Sequence, residues 1–259
     1  MKSVCSLFIL AALLCAANLF AQTNAPVQAN VAPVVKYAPG SALIPATRAT
    51  PTNWLSRHEG FVAQAKKGGV DILFMGDSIT DNWRSKGVNI WNKYYAPQHA
   101  ANFGIGGDRT QHVLWRIENG ELDGIKPKVT VLMIGTNNSG DDSPDDIAKA
   151  VKMIIDDTHA KIPETKILLL AIFPRGPRTN SVAVVNDIAK RMEVIRATNE
   201  RISKYDDGKT VKYLDIGGKF LDADGKIPRD VMADQLHPTE KGYQIWADAM
   251  NPTLDEMMK

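Results

Sequence analysis

Four short polar segments, far apart in the chain, carry the residue types that acyl-transfer chemistry needs. Met75-Gly76-Asp77-Ser78-Ile79-Thr80 offers Ser78 as a nucleophile. A serine hydroxyl is too weakly acidic to attack a carbonyl unaided, so a base must reach it. Asp77 or Ser78 would serve equally well as a helix N-cap. Asn102-Phe103-Gly104-Ile105-Gly106-Gly107-Asp108 is a glycine-rich turn whose backbone N–H groups can approach a ligand closely. Its glycine spacing does not match the G-x-G-x-x-G of dinucleotide binding, and a plain tight turn is the competing interpretation. Gly135-Thr136-Asn137-Asn138 brings side-chain amides, which can donate to a tetrahedral oxyanion, or which simply continue into a polar turn through Ser139-Gly140. In Asp234-Gln235-Leu236-His237-Pro238, a carboxylate three residues before an imidazole can fix its tautomer and leave the other ring nitrogen as base. The alternative there is a helix start at Pro238 with polar neighbours ahead of it. Together the four segments supply nucleophile, base, orienting carboxylate and oxyanion donors.

Such groups act together only if the intervening elements bring four distant loops to one edge. Short apolar runs at residues 72–75, 129–134, 167–173 and 211–214, with a weaker one at 100–103, have the pattern of strands buried on both faces. Helical patterns at 90–95, 110–119, 144–161, 185–205 and 238–257 alternate with them; in the third, Ile147, Val151, Ile154 and Ile155 have helical spacing and Pro144 suits the first turn. Five βα alternations predict an α/β fold, a doubly wound parallel sheet with helices on both faces. That architecture puts ligand chemistry at the carboxyl ends of the strands, where all four segments fall.

At 259 residues, 44% hydrophobic and 23% charged, the chain has the composition of one globular domain, which excludes disorder, collagen and coiled coil. The net charge of +2 comes from scattered residues, so nucleic acid is not an expected partner. Residues 1–21 have the pattern of a secretory signal peptide cut near Ala21: one charge at Lys2, then an apolar stretch from Ser6 to Leu14. That stretch falls short of the ~20 residues a membrane span needs, so no stable membrane insertion is expected. Cys5 and Cys15 both lie inside this segment, leaving the mature chain without a thiol; bulky Leu14 argues against lipidation at Cys15. The expected location is periplasmic or secreted. Residues 22–52, with Pro26, Pro33, Pro39, Pro45 and Pro51, form a Pro/Ala-rich leader, and 53–259 form a single domain. His58, His99 and His159 lack acidic neighbours at metal spacing, so neither metal nor cofactor is expected. His112 and Trp115 suit helix packing, Arg116 an interior ion pair or cap, and Arg175 and Arg178 a loop after the fourth strand.

The four blocks, in the order Ser, Gly, Asn, His, resemble the SGNH/GDSL hydrolases from about Asp71 to Met257. Within that superfamily, the glycine-rich block with Gln111-His112-Val113-Leu114-Trp115-Arg116, Glu118-Asn119-Gly120-Glu121-Leu122, Lys126-Pro127-Lys128 and Pro174-Arg175-Gly176 is similar to the catalytic subunits of intracellular platelet-activating factor acetylhydrolase. The resemblance implies a flavodoxin-like three-layer sandwich around about five parallel strands, and a cofactor-free ester hydrolase that removes short acyl groups, typically acetyl. It implies Ser78 as nucleophile, His237 as general base and Asp234 as its orienting carboxylate. The oxyanion hole would comprise the Ser78 amide, the Gly107 amide and the Asn137 side chain, Gly106 being the other candidate for the second donor. It also implies a homodimer, since the related subunits pair with each other. The export signal, the leader and the sequence Asp77-Ser78-Ile79-Thr80-Asp81 followed by Asn82-Trp83 depart from those subunits. Export shifts the expected substrate from an ether phospholipid to acetylated carbohydrate. A lysophospholipase or thioesterase with a longer acyl pocket, and a platelet-activating-factor-type acetylhydrolase, would use the same machinery. A carbohydrate-binding module using the five tryptophans would have no need for Ser78, Asp234 and His237 together. An imidazole base must be neutral, so activity is expected to fall below pH ~6.5.

Overall fold

Five apolar segments pair side by side as parallel strands: β1 (Ile72–Gly76), β2 (Ala100–Gly104), β3 (Val129–Met133), β4 (Lys166–Leu170) and β5 (Val211–Leu214). The computed structural model describes residues 38, 40–48 and 53–259, all within one compact unit, residues 35–259; residues 1–21, whose pattern suggested a signal peptide, lie outside the described residues. The sheet order is β2-β1-β3-β4-β5, the flavodoxin-like arrangement expected from the sequence. β1 and β3 are fully buried, whereas in β5, at the sheet edge, only Val211 is buried. The chain leaves β1 to build β2 on one side and later β3 on the other. The crevice at this reversal is where an open α/β sheet holds a ligand.

Alternate strand residues face opposite layers. On one face Leu73, Met75, Phe103, Leu132 and Leu169 pack against α1 (Trp54–Lys67), α4 (Thr110–Glu118), α5 (Pro144–Lys161) and the end of α6 (Val182–Ile202). On the other, Phe74, Val131, Met133 and Leu168 meet α3 (Val88–Tyr94) and α7 (Glu240–Met257), with Trp83, Tyr243 and Trp246 fully buried between them. The short helix α2 (Ser78–Asp81) follows β1 directly.

Local chemistry accounts for most element limits. Ser143 caps α5 by accepting the Asp146 N–H, Pro144 occupies its first turn, and His159 and Lys161 sit at its negative end. α7 begins after Pro238, because Thr239 is its cap and accepts the Gly242 N–H. β4 stops three residues before the apolar run does. Beyond it, Ile172 gives its N–H and C=O to the side-chain amide of Asn199, 2.9 Å each, instead of to a neighbouring strand. α1 was not among the expected helices. Its buried stripe, Trp54, His58, Phe61 and Ala65, has helical spacing but is interrupted by a polar ring and flanked by charge.

Candidate active site

β1 ends at Gly76, where a Cβ would collide with the Thr80 side chain and the Met133 carbonyl. The chain therefore turns sharply into α2, capped by Asp77, whose Oδ1 accepts the Ile79 N–H at 2.9 Å. Ser78, first residue of that helix, is half-buried, and its Oγ lies 2.8 Å from His237 Nε2. His237 Nδ1 is 2.7 Å from Asp234 Oδ2. The other oxygen, Oδ1, accepts the backbone N–H groups of His237 at 2.8 Å and Leu236 at 3.2 Å. One carboxylate thus folds its own loop and faces the imidazole.

Folding that loop requires Gln235 in the left-handed region, φ 62°, a conformation that costs a non-glycine residue about 1–3 kcal/mol. Bonds around it hold it there. Its Nε2 donates to the carbonyls of Ile227 at 3.1 Å and Met232 at 3.2 Å, and its own carbonyl accepts the Gly176 N–H at 2.8 Å.

Electrostatics separate the two nearby aspartates. Burial would raise the Asp234 carboxyl, but hydrogen bonds from the His237 side chain and the His237 and Leu236 amides outweigh it and hold it at about 2. Asp77 is fully buried, and burial pushes its carboxyl up to about 7 despite the Ile79 N–H.

Opposite Ser78 stands the turn Ile105–Asp108, closed by an Asp108 N–H to Ile105 carbonyl bond of 3.1 Å. A Cβ built on Gly106 would lie 3.8 Å from Ser78 Cβ, so the turn borders the serine directly. The Gly106 N–H is donated to Asp81 Oδ2 at 3.0 Å, and Asp81 in turn pairs with Arg57 at 2.6 Å and Arg84 at 2.5 Å. Half-buried Asn137, just beyond β3, donates from Nδ2 to the Asp108 carbonyl at 2.7 Å. The Asp108 side chain is itself fixed by Trp54 Nε1 at 2.7 Å and lies 3.1 Å from Arg116 Nε, and Arg116 also pairs with Glu121. The neighbouring amide, Asn138, is fully buried and bonded to Thr110, Gln111 and Asp142.

The remaining residues singled out in the sequence fall outside this cluster or line its border. His112 is buried and accepts the Arg109 N–H. His58 stacks on Trp54 and meets Trp115 edge-to-face, His99 pairs with Asp71, and His159 bonds the Thr165 carbonyl. Among the described residues, no group of three or more His, Cys, Asp or Glu is placed to hold a metal ion. Arg175 reaches toward Thr136, and the exposed Arg178 approaches Asp234 Oδ2 at 3.4 Å. Asp81, Gln235 and Arg48, which meets the turn from residues 40–48, were not assigned roles from sequence. Asp81 lies within the Ser78 motif, whereas Arg48 carries no local signal at all.

With this geometry in view, the comparisons are specific. The model of the GDSL-like Lipase/Acylhydrolase family matches residues 74–245. Human platelet-activating factor acetylhydrolase IB subunit alpha2 is 38% identical over 190 residues, covering 73% of this chain and 78% of that protein. The bovine alpha1 subunit is 35% identical over 217 residues, covering 81% and 89%. Two solved structures share the fold: a GDSL-like lipase from Bacteroides thetaiotaomicron (17% identity, TM-score 0.60, 77% of this chain and 97% of that one) and an acetylxylan esterase from Geobacillus stearothermophilus (18%, 0.52, 73% and 94%). These findings correct one expectation. The relatives are subunits of the intracellular acetylhydrolase that the motifs resemble, so the periplasmic or secreted location read from residues 1–21 does not stand. Among the described residues, no helix is long and apolar enough to cross a membrane. The family match begins within β1 and ends within α7, enclosing Ser78, Asn137, Asp234 and His237, and the chain accordingly belongs to the GDSL-like lipase/acylhydrolase family of ester-hydrolysing enzymes.

Proposed function

We propose that the chain removes acetyl groups from esters through an acyl-serine intermediate on Ser78. The observation that carries this reading is the continuous hydrogen-bond chain from Ser78 Oγ through His237 to Asp234. His237 Nε2 takes the hydroxyl proton as Oγ attacks the carbonyl. It then gives the proton to the departing alcohol, and water reverses both steps on the acyl-enzyme. Asp234 holds the Nδ1 proton and stabilises the imidazolium that forms.

The developing oxyanion is bound by the Ser78 N–H, the Gly107 N–H and Asn137 Nδ2. Of the two glycines, Gly107 is favoured because the Gly106 N–H is already engaged by Asp81. One Asn137 N–H anchors the amide on the Asp108 carbonyl, which leaves the second for the oxyanion. Losing one such donor typically costs about 10²–10³ in turnover, so Asn137→Ala is expected to lower kcat by that factor. A variant within twofold of the parent in steady-state kinetics would remove Asn137 from the mechanism.

Acetyl as the acyl group is supported by the relatives, which are named for acetyl removal. The preference for carbohydrate drew on export and has no support of its own once export is withdrawn. A p-nitrophenyl ester series tests the acyl pocket. Rates are expected to fall at least about tenfold from acetate to octanoate, since a site shaped for a small group resists added methylenes. A preference for octanoate would instead indicate the lysophospholipase or thioesterase alternative.

A further inference from the structure

The central peptide of the Ile105–Asp108 turn joins Gly106 to Gly107. Its two ends are bound to each other by geometry: in a planar trans peptide the Gly106 C=O and the Gly107 N–H point in opposite directions. Gly107 has φ 80°, the value for the third residue of a type II turn. Type I and type II turns differ by a flip of this central peptide, and two consecutive glycines impose little preference of their own. Something outside the turn must therefore decide which way the Gly107 N–H faces.

Arg48 is placed to do so. Its Nη1 donates to the Gly106 carbonyl at 2.6 Å. A Cβ on Gly107 would sit 2.9 Å from Nη2 of this guanidinium, so any side chain there would push Arg48 out of the contact. The segment that delivers Arg48 is anchored in the fold: Ala42 is fully buried, its carbonyl accepts the Thr110 Oγ1 hydroxyl at 2.9 Å, and the Ala46 N–H donates to the Gln111 carbonyl at 3.1 Å. On the far side of the turn Asp81 holds the Gly106 N–H. The two peptide groups of Gly106 are thus clamped separately, one by a carboxylate and one by a guanidinium. Arg48 lies outside the stretch that matches the family, residues 74–245.

We propose that Arg48 is a positioning residue of the oxyanion hole, locking the Gly106–Gly107 peptide so that the Gly107 N–H faces the reacting carbonyl oxygen. A charged donor on the carbonyl also polarises the same peptide and makes its N–H the stronger donor. This inference rests on the acyl-serine mechanism above, with Gly107 as an oxyanion donor.

The test compares the full chain with Arg48→Ala, Arg48→Lys and Ser78→Ala, using p-nitrophenyl acetate. A lost oxyanion donor costs about 10²–10³, and a disoriented one should approach that, so Arg48→Ala is expected to lower kcat about ten- to a hundredfold with KM within about twofold. Arg48→Lys, which still offers a cationic donor, should fall between them. Added methylguanidinium at millimolar concentration should restore part of the Arg48→Ala rate while leaving the parent unchanged. An unchanged kcat in Arg48→Ala, with Ser78→Ala inactive, would overturn the role of Arg48 and leave the serine mechanism standing. So would a fall in kcat that parallels a lowered unfolding temperature and is not restored by methylguanidinium. A Ser78→Ala variant as active as the parent would overturn the mechanism itself.

Discussion

Ser78→Ala is expected to reduce turnover of p-nitrophenyl acetate by about 10⁶-fold, the loss seen when the nucleophile of a serine triad is removed. At 1.36 kcal/mol per factor of ten this amounts to about 8 kcal/mol of transition-state stabilisation. The proposed oxyanion donors remain in the variant, and such donors alone sustain only about 10³–10⁴ over water. Stability should barely change. Ser78 is half-buried, and the cap of α2 is made by Asp77, so deleting one hydroxyl leaves the Ile79 N–H satisfied. Rates measured with a metal chelator present, beside thermal unfolding of both proteins, separate chemistry from folding. Parent-like turnover in the variant would sink the acyl-serine mechanism.

The sequence disclosed those parts of the molecule whose signals are local. α5 spans residues 144–161 as expected, because its apolar spacing, its Ser143 cap and Pro144 all agree. β5 occupies residues 211–214 as expected from its apolar run. Ser78, Asp234 and His237 were recognisable by type and spacing, and the structure brings their side chains within 2.8 Å and 2.7 Å of one another. What supports them was not legible. Gln235 adopts φ 62° because the Ile227 and Met232 carbonyls of its own loop and the Gly176 N–H from a distant one hold it, and no glycine marks the position. Asp81 turns to the Gly106 N–H between two arginines, one of them 24 residues earlier in the chain. Arg48 sits in a stretch whose prolines suggested a leader, yet the carbonyl it binds is 58 residues away. Backbone groups as partners leave no trace in residue type, so such contacts emerge only when the fold is assembled. Location failed for a related reason. A charge followed by an apolar run is a local pattern, and it was outweighed by relatives that match along three quarters or more of their length.

Asp234→Asn is expected to lower kcat by about 10⁴-fold while leaving the loop in place, as the loss of an orienting carboxylate does in serine hydrolases. The substitution preserves size, and the amide oxygen can still accept the His237 and Leu236 N–H groups that Oδ1 accepts now. That leaves the NH₂ facing His237 Nδ1, where Oδ2 stands in the parent. A donor there demands an acceptor at Nδ1, which moves the ring proton to Nε2 and points an N–H at Ser78 Oγ. The imidazole then cannot receive the serine proton, so a near-isosteric change disables the base by selecting the wrong tautomer. In the parent, the carboxyl lies at about 2, below its ordinary value of 3.8, and stays ionised throughout the neutral range. A group whose pKa is lowered on folding stabilises the fold above its unfolded value and loses that contribution as pH falls through the folded one. Any stability advantage of the parent over Asp234→Asn should therefore hold above about pH 4 and fade between about pH 4 and pH 2, which thermal unfolding across that range would record. Turnover of Asp234→Asn within tenfold of the parent at pH 7.5 would show that the carboxylate does not set the tautomer.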